Sequence, residues 1–168
     1  MDRSATAPAA AGALVSDSAA ETRRLGIALG SLARPGAMIA LVGPLGAGKT
    51  QLAKGVAEGL GVTSVVNSPT FILMNEHVGR LRLFHVDAYR LDDPEEALAA
   101  GLLDERGAEG VTVVEWADRL DGWLPLDRLD VELEMDPDGR PDRRRIAWQA
   151  HGEAHARLAE AALGRGPA

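Results

Sequence analysis

The sequence predicts an α/β domain built on a mixed, mostly parallel sheet that is flanked by helices. Two apolar runs, AMIALV (37–42) and VTVVEW (111–116), are typical of buried strands, because both faces of a parallel sheet are covered. A glycine-rich segment and then a helical pattern follow the first run. Two pairs of alternating segments predict antiparallel hairpins, so the sheet is expected to be mixed rather than purely parallel.

Length and composition are consistent with one domain and exclude several classes of protein. The chain has 168 residues, of which 46% are hydrophobic, and this is enough for a single core. No segment approaches the ~18 unbroken apolar residues of a membrane helix. Cysteine is absent, which excludes disulfides and thiolate metal sites and fits a cytoplasmic protein. Because the formal net charge is -7, we expect any role with RNA to be indirect, through a partner.

The N-terminal part of the chain is predicted to change from a tail to a helix near residue 17. Residues 1–16 are rich in alanine and are predicted to be disordered, whereas residues 17–164 are predicted to form the domain. The segment SAAE has the spacing of a capping box, in which Ser18 bonds the amide of Glu21 and Glu21 reaches back. The first helix is therefore expected to begin near Ser18, and it ends before Pro35.

The rest of the chain alternates between helical and strand-like patterns. A second helix is predicted from about Lys49 to Leu60, with Gly61 as its C-terminal cap. The elements predicted after it are a hairpin of FILMNE and RLRLFHV, a short helix in DDPEEALAAGL, a hairpin of LDVELEM and RRRIAWQA around the turn DPDGR, and a last helix from about Glu153 to Leu163.

The segment GPLGAGKT (43–50) matches the pattern G-x-x-x-x-G-K-[ST] of a phosphate-binding loop. Glycines leave backbone amides free to surround phosphate oxygens, and the helix that begins at Lys49 directs its positive end at them. Lys49 is expected beside the β- and γ-phosphates, and the hydroxyl of Thr50 on Mg²⁺. The alternative is a turn that only joins strand to helix, but the buried strand before the loop favours a nucleoside triphosphate site. The guanine-reading pattern N-K-x-D is absent, which favours ATP.

Two acids at strand ends are candidates for serving the metal and the attacking water. Glu115 ends the apolar run VTVVE, and Asp87 ends LRLFHVD. Each alone has the alternative of a solvated strand end, and spacing does not choose between them. His85 shares a strand face with Asp87, so either a structural hydrogen bond or a role near phosphate is open to it.

Two further features have simpler interpretations. The segment HGEAH (151–155) places two histidines four residues apart, but no third zinc ligand is evident. The run RRR (143–145) alternates across a strand; a solvated edge is the default interpretation, and contact with tRNA or a partner protein is the alternative.

Several motifs in fixed order make the chain resemble a known family. They are GPLGAGKT, SPTF (68–71), FHVDAYRL (84–91), EEALAAGLLDE (95–105) and VVEWADRL (113–120). Together they are similar to TsaE, the ATPase subunit of the bacterial machinery that makes the N6-threonylcarbamoyl modification of adenosine (t6A) in tRNA. The resemblance runs from about Glu21 to Leu133, and more loosely through the C-terminal hairpin. The H-x-D-x-Y-R and E-W elements are its most specific parts.

The resemblance implies a compact P-loop NTPase fold and roles for particular residues. Thr50 and Glu115 match the magnesium positions, and Asp87 matches the acid needed for hydrolysis. The segment 68–70 matches a switch-like loop near the γ-phosphate, and Gly139 falls where the family approaches adenine. Mg-ATP is expected on the loop residues Leu45, Gly46, Ala47, Gly48, Lys49 and Thr50. The family usually has Asp directly after the first loop glycine, and this chain has Pro44 there.

The function implied by the resemblance is a Mg²⁺-dependent ATPase that drives a protein complex rather than modifying tRNA itself. The expected partners are TsaD and TsaB, with tRNA reached only through the complex, no membrane contact and a free protein that is a monomer. The first alternative is a small P-loop kinase, although its usual Arg-bearing lid is not evident. The second alternative is a non-catalytic nucleotide sensor that recruits a partner.

Overall fold

The strands of the described residues form one mixed, seven-stranded sheet in a computed structural model of the chain. The structure describes residues 7–64, 66, 74–91, 93, 95 and 108–164. The strands are β1 (Ala10–Ser16), β2 (Met38–Val42), β3 (Met74–His77), β4 (Leu83–Asp87), β5 (Val111–Glu115), β6 (Arg128–Met135) and β7 (Arg144–His151). The helices are α1 (Ala19–Leu32), α2 (Lys49–Gly59) and α3 (Glu153–Leu163), and a 3-10 helix spans Ala117–Leu120.

The sheet has a parallel centre and antiparallel margins. Its strand order is β1-β7-β6-β2-β5-β4-β3. Strand β2 lies between β5 and β6 and is parallel to both, and β4 is parallel to β5. The pairs β3–β4, β6–β7 and β1–β7 are antiparallel. The predicted mixed sheet with two hairpins is thus confirmed, and the carboxyl ends of β2, β4, β5 and β6 lie at one edge.

The prediction that residues 1–16 are disordered is wrong for residues 10–16, which form the edge strand β1. This strand pairs with β7 from Ala10 opposite Ala150 to Ser16 opposite Arg144. Its small residues show no strand-like alternation in the sequence, and the long-range partner β7 supplies the pairing. Gly12 allows the ring of Trp148 to approach, since a Cβ at Gly12 would lie only 2.7 Å from Cζ2 of Trp148.

The helix ends follow the local signals in the sequence. The Oγ of Ser18 accepts a hydrogen bond from the amide of Glu21 at 3.0 Å, which confirms the predicted N-cap. The carboxylate of Glu21 reaches back to the amide of Asp17, one residue before the amide of a standard capping box. At the end of α2, Gly61 has a φ of +76° and its amide bonds the carbonyl of Glu58, as expected of a C-terminal glycine cap.

Helices α1 and α2 pack on one face of the sheet with their backbones in close contact. Glycines make this approach possible on both helices. A Cβ at Gly30 would lie 2.1 Å from the carbonyl oxygen of Val56, and one at Gly55 would lie 2.2 Å from that of Arg23. Helix α2 begins at the end of the glycine-rich loop. Its packing on α1 therefore fixes the position of the helix N-terminus that the loop leads into.

Replacing Gly30 with alanine is expected to destabilise the protein, because the new methyl group would force the two helices apart. Overpacking costs about 1–3 kcal/mol, and the better helix propensity of alanine offsets up to ~1 kcal/mol of it. Urea unfolding measures the difference. Ser31→Ala, at the exposed next position of α1, is the matched control. Equal midpoints for the two variants would contradict the close helix contact.

Some predictions fall outside the described residues. The switch-like segment 68–70 and most of the short helix predicted in 92–102 are not among the residues that the structure describes.

No described helix combines the length and the hydropathy needed to cross a bilayer.

Candidate functional site

The glycine-rich loop connects the carboxyl end of β2 to the first residue of α2. Gly48 has a φ of +104°, a conformation that disfavours residues with a side chain, and it directly precedes the helix. A Cβ at Gly43 would lie 2.4 Å from the carbonyl oxygen of Leu133, so glycine lets the loop approach the end of β6. The loop therefore sits at the sheet edge where the central parallel strands end.

The side chain of Lys49 lies across the loop and is almost completely buried, with a residue exposure of 4%. Its Nζ donates to the carbonyl of Gly43 at 2.5 Å and to that of Pro44 at 2.8 Å. The same atom lies 3.9 Å from the ring centroid of Trp116. Burial lowers the pKa of Lys49, and the negative charges of nearby Glu115 and other acids oppose this shift.

Glu115 ends β5 with both carboxylate oxygens held by neighbouring side chains. Its Oε1 accepts from the hydroxyl of Thr50 at 2.8 Å, and its Oε2 accepts from Nε2 of His85 at 2.5 Å. Burial alone raises the pKa of Glu115, but these hydrogen bonds and the charges of His85 and Lys49 outweigh it and leave the pKa below its usual value. The ionised carboxylate is thus favoured beside Thr50.

Asp87 lies next to Glu115, because the two residues are register partners at the ends of the parallel strands β4 and β5. It is half-buried, and its Oδ1 accepts a hydrogen bond from the amide of Tyr89 at 2.9 Å. Burial raises its pKa; the charge of Glu115 adds to this shift, while the Tyr89 amide and two nearby basic groups oppose it. Asp87 is therefore a stronger base than an ordinary aspartate.

The sequence left two interpretations open for His85, and the structure places it against Glu115. It is fully buried on β4, at 0% exposure, and its Nε2 contacts Glu115. Its Nδ1 has no hydrogen-bond partner among the residues that the structure describes. The geometry favours the structural hydrogen bond, which aims the carboxylate of Glu115 at Thr50.

Trp116 follows Glu115 in a conformation that is rare for its residue type. Among the described residues it is the one non-glycine with a positive φ, at +58°. Its ring lies 4.8 Å from the ring of Tyr89, centroid to centroid. Strained backbone of this kind is concentrated at functional sites, and here it brings the indole over Lys49.

The histidines of HGEAH are used in two separate places. His151 bonds Asp130 at 3.0 Å, whereas Nδ1 of His155 bonds Asp127 at 2.6 Å. The Nε2 of His155 accepts from the amide of Met38. Within the described ranges there is no group of three or more His, Cys, Asp or Glu side chains that could hold a metal ion. The two histidines thus have structural hydrogen bonds.

Gly139 lies in the turn between β6 and β7. Its φ is +79°, and an added Cβ would have no atom within 4 Å. Since β6 is parallel to β2, this turn is at the same sheet edge as the glycine-rich loop. A role of Gly139 toward adenine stays a prediction.

Sequence reasoning missed a residue that contacts the loop from outside it. Arg144, in the run interpreted as a solvated edge, donates to the carbonyls of Gly46 and Ala47. No local pattern identifies this contact, because Arg144 and Ala47 are 97 residues apart in the chain.

The loop between a central parallel strand and its helix, with acids at the ends of the neighbouring strands, defines a P-loop α/β protein. Comparison with known proteins narrows this class. The model of the family "Threonylcarbamoyl adenosine biosynthesis protein TsaE" matches residues 16–146, and the chain belongs to this family.

Individual relatives agree with this assignment. The chain is 41% identical over 141 residues to the tRNA threonylcarbamoyladenosine biosynthesis protein TsaE of Bacillus subtilis, covering 83% of this chain and 86% of the relative. It is 40% identical over 125 residues to the protein of that name from Treponema pallidum, covering 74% and 93%. The crystal structure of Bacillus subtilis YdiB superimposes with a TM-score of 0.74 and 32% identity, covering 91% of this chain and 94% of YdiB.

Proposed function

We propose that this protein binds Mg-ATP at the glycine-rich loop and hydrolyses ATP to ADP and phosphate. The observation that carries the proposal is the 2.8 Å contact between the hydroxyl of Thr50 and the carboxylate of Glu115, beside the buried Lys49. A hydroxyl at the start of the helix and an acid at a neighbouring strand end are the pair that holds magnesium in P-loop NTPases. Both side chains offer hard oxygen atoms as metal ligands, which Mg²⁺ prefers.

Each residue of the site then has a distinct task. Thr50 and Glu115 would hold Mg²⁺, with phosphate and water oxygens completing its shell. When bound, Mg²⁺ neutralises charge on the β- and γ-phosphates. Lys49 leaves the carbonyls of Gly43 and Pro44 to bind the phosphate oxygens as a point charge.

The hydrolytic step is assigned to Asp87. Its raised pKa suits a group that accepts a proton from the attacking water, since a base is most useful when its pKa approaches the working pH. Measurement of ADP release, with and without candidate acceptor metabolites, tests the reaction. A dependence on an acceptor would point to a kinase, and ADP release without one supports hydrolysis.

We further propose that the ATPase serves the synthesis of threonylcarbamoyladenosine in tRNA. The support is membership in the TsaE family and the names of its relatives. The net charge of -7 disfavours binding of tRNA by this protein alone, so the protein is expected to act through other proteins. A nucleotide site can regulate a partner when the ATP and ADP states present different surfaces.

The isolated protein is expected to hydrolyse ATP slowly, and a complex with TsaB and TsaD is expected to be faster. The physical reason is that partner contacts would favour the conformation in which the site is complete. Phosphate release by the mixed purified proteins measures this, and gel filtration with ATP or ADP measures nucleotide-dependent association. Unchanged rates together with no ATP-dependent co-elution would contradict the proposed partners.

A further inference from the structure

The guanidinium of Arg144 connects the glycine-rich loop to the C-terminal hairpin. Arg144 is the first residue of β7 and is half-buried. On the loop side, its Nε donates to the carbonyl of Ala47 at 3.2 Å and its Nη2 to that of Gly46 at 3.1 Å. On the hairpin side, its Nη1 donates to the carbonyls of Pro141 and Arg143 at 2.6 and 2.9 Å. All four acceptors are backbone carbonyls.

These contacts determine how the peptide groups of the loop are oriented. The described peptide bonds are trans, so the C=O and N–H of one peptide group point in opposite directions. The carbonyl of Ala47 and the amide of Gly48 belong to the same group. Holding that carbonyl against Arg144 therefore turns the Gly48 amide away from Arg144, toward the opposite side of the loop.

The loop is held from within as well. The amide of Ala47 bonds the carbonyl of Pro44 at 3.1 Å, which closes a turn inside the loop. Arg144 holds the other end of that peptide group, the Gly46 carbonyl, and also the Ala47 carbonyl of the next group. The two sets of contacts together select one loop conformation. A preorganised ring of amides binds phosphate better than one that must be ordered on binding.

We propose that Arg144 is a positioning residue for phosphate binding, acting through the carbonyls of Gly46 and Ala47 rather than by touching the nucleotide. Arginine suits this task because its planar fork presents several donors in fixed directions, whereas lysine has one nitrogen on a flexible stem. The inference rests on the proposed function, since it concerns the nucleotide of that same site.

The neighbouring arginines have other surroundings and make useful controls. Arg145 is exposed and pairs in register with Val15 of β1, so its side chain lies on the other face of β7 from that of Arg144. Arg143 lies 3.5 Å from the carboxylate of Asp17. Arg145→Ala therefore removes the same charge from the same strand without touching the loop.

The experiment compares Arg144→Ala, Arg144→Lys and Arg145→Ala in the full chain. ATP affinity is measured by titration calorimetry, kcat and KM by phosphate release, and folding by thermal unfolding. In metal sites, loss of a residue that orients the ligands typically costs roughly 10- to 100-fold, and we take this scale for a residue that orients the phosphate-binding loop. We expect a loss of this size in ATP affinity and kcat/KM for Arg144→Ala, a partial recovery in Arg144→Lys, and wild-type values for Arg145→Ala.

Chemical rescue separates positioning from general stability. Guanidinium ion, added at a concentration that leaves the wild type folded and fully active, is expected to restore part of the activity of Arg144→Ala by occupying the vacated site. It should not restore the activity of Lys49→Ala. A loss in Arg144→Ala that follows its unfolding temperature and that neither guanidinium nor lysine recovers would overturn the inference.

Failure of this inference can be distinguished from failure of the proposed function. If the wild type and Lys49→Ala bind ATP equally well, the loop is not the nucleotide site and both proposals fall. If Lys49→Ala loses binding while Arg144→Ala matches Arg145→Ala in affinity and kcat/KM, the nucleotide site stands and the role of Arg144 is refuted.

Discussion

Alanine in place of Lys49 is expected to weaken ATP binding by about 2–5 kcal/mol, the scale found when one partner of a buried charge contact is removed. The lysine side chain is buried beside the loop, where Nζ is already held by the carbonyls of Gly43 and Pro44. Nucleotide phosphates would replace these neutral acceptors with charged ones. The substitution Lys49→Ala therefore removes the fixed cation of the site. Titration calorimetry with ATP and Mg²⁺ measures the loss.

Lys54→Ala is the matched control for this experiment. Lys54 lies on the same helix and is partly exposed, so its removal changes the net charge equally without entering the loop. The control is expected to bind ATP as the wild type does. If Lys49→Ala and Lys54→Ala have the same affinity as the wild type, phosphate is not bound by this loop.

Glutamine in place of Glu115 is expected to lower kcat by about a hundredfold or more, while ATP binding and folding persist. The substitution keeps the shape of the side chain and one carbonyl oxygen, but it removes the charge that would hold Mg²⁺ beside Thr50. Binding should survive better than turnover, because the amides and Lys49 still contact phosphate. Phosphate release at saturating ATP measures kcat, and circular dichroism follows the fold.

Asp87→Asn is the companion variant, and it separates the two acids. Asparagine retains the oxygen that accepts from the Tyr89 amide but cannot accept a proton from water, so kcat is expected to fall by about 10²–10⁴-fold. Raising the Mg²⁺ concentration should recover part of the activity of Glu115→Gln but none in Asp87→Asn. Glu134→Gln, at an exposed position of β6, is the control. If either site variant hydrolyses ATP at the wild-type rate, the acid that it lacks has no role in hydrolysis.

The sequence by itself determined those parts of the protein whose signals are local. The loop 43–50 was identified from its own spacing, and the N-cap at Ser18 and the last helix, Glu153–Leu163, from the residues that border them. A turn, a cap or an amphipathic helix depends on residues a few positions apart, so its physical cause is visible in a short stretch of chain.

The tertiary structure alone decided the contacts between residues that are distant in the chain. The strand β1 forms because β7 pairs with it, and its own residues show no alternation that predicts a strand. The sequence named Glu115 and Asp87 as candidates, but their adjacency depends on the parallel register of β4 and β5. In the same way, His85 reaches Glu115 and Arg144 reaches the loop only through the sheet. Strand order and register are set by burial over the whole core, and a pattern read along one segment does not contain them.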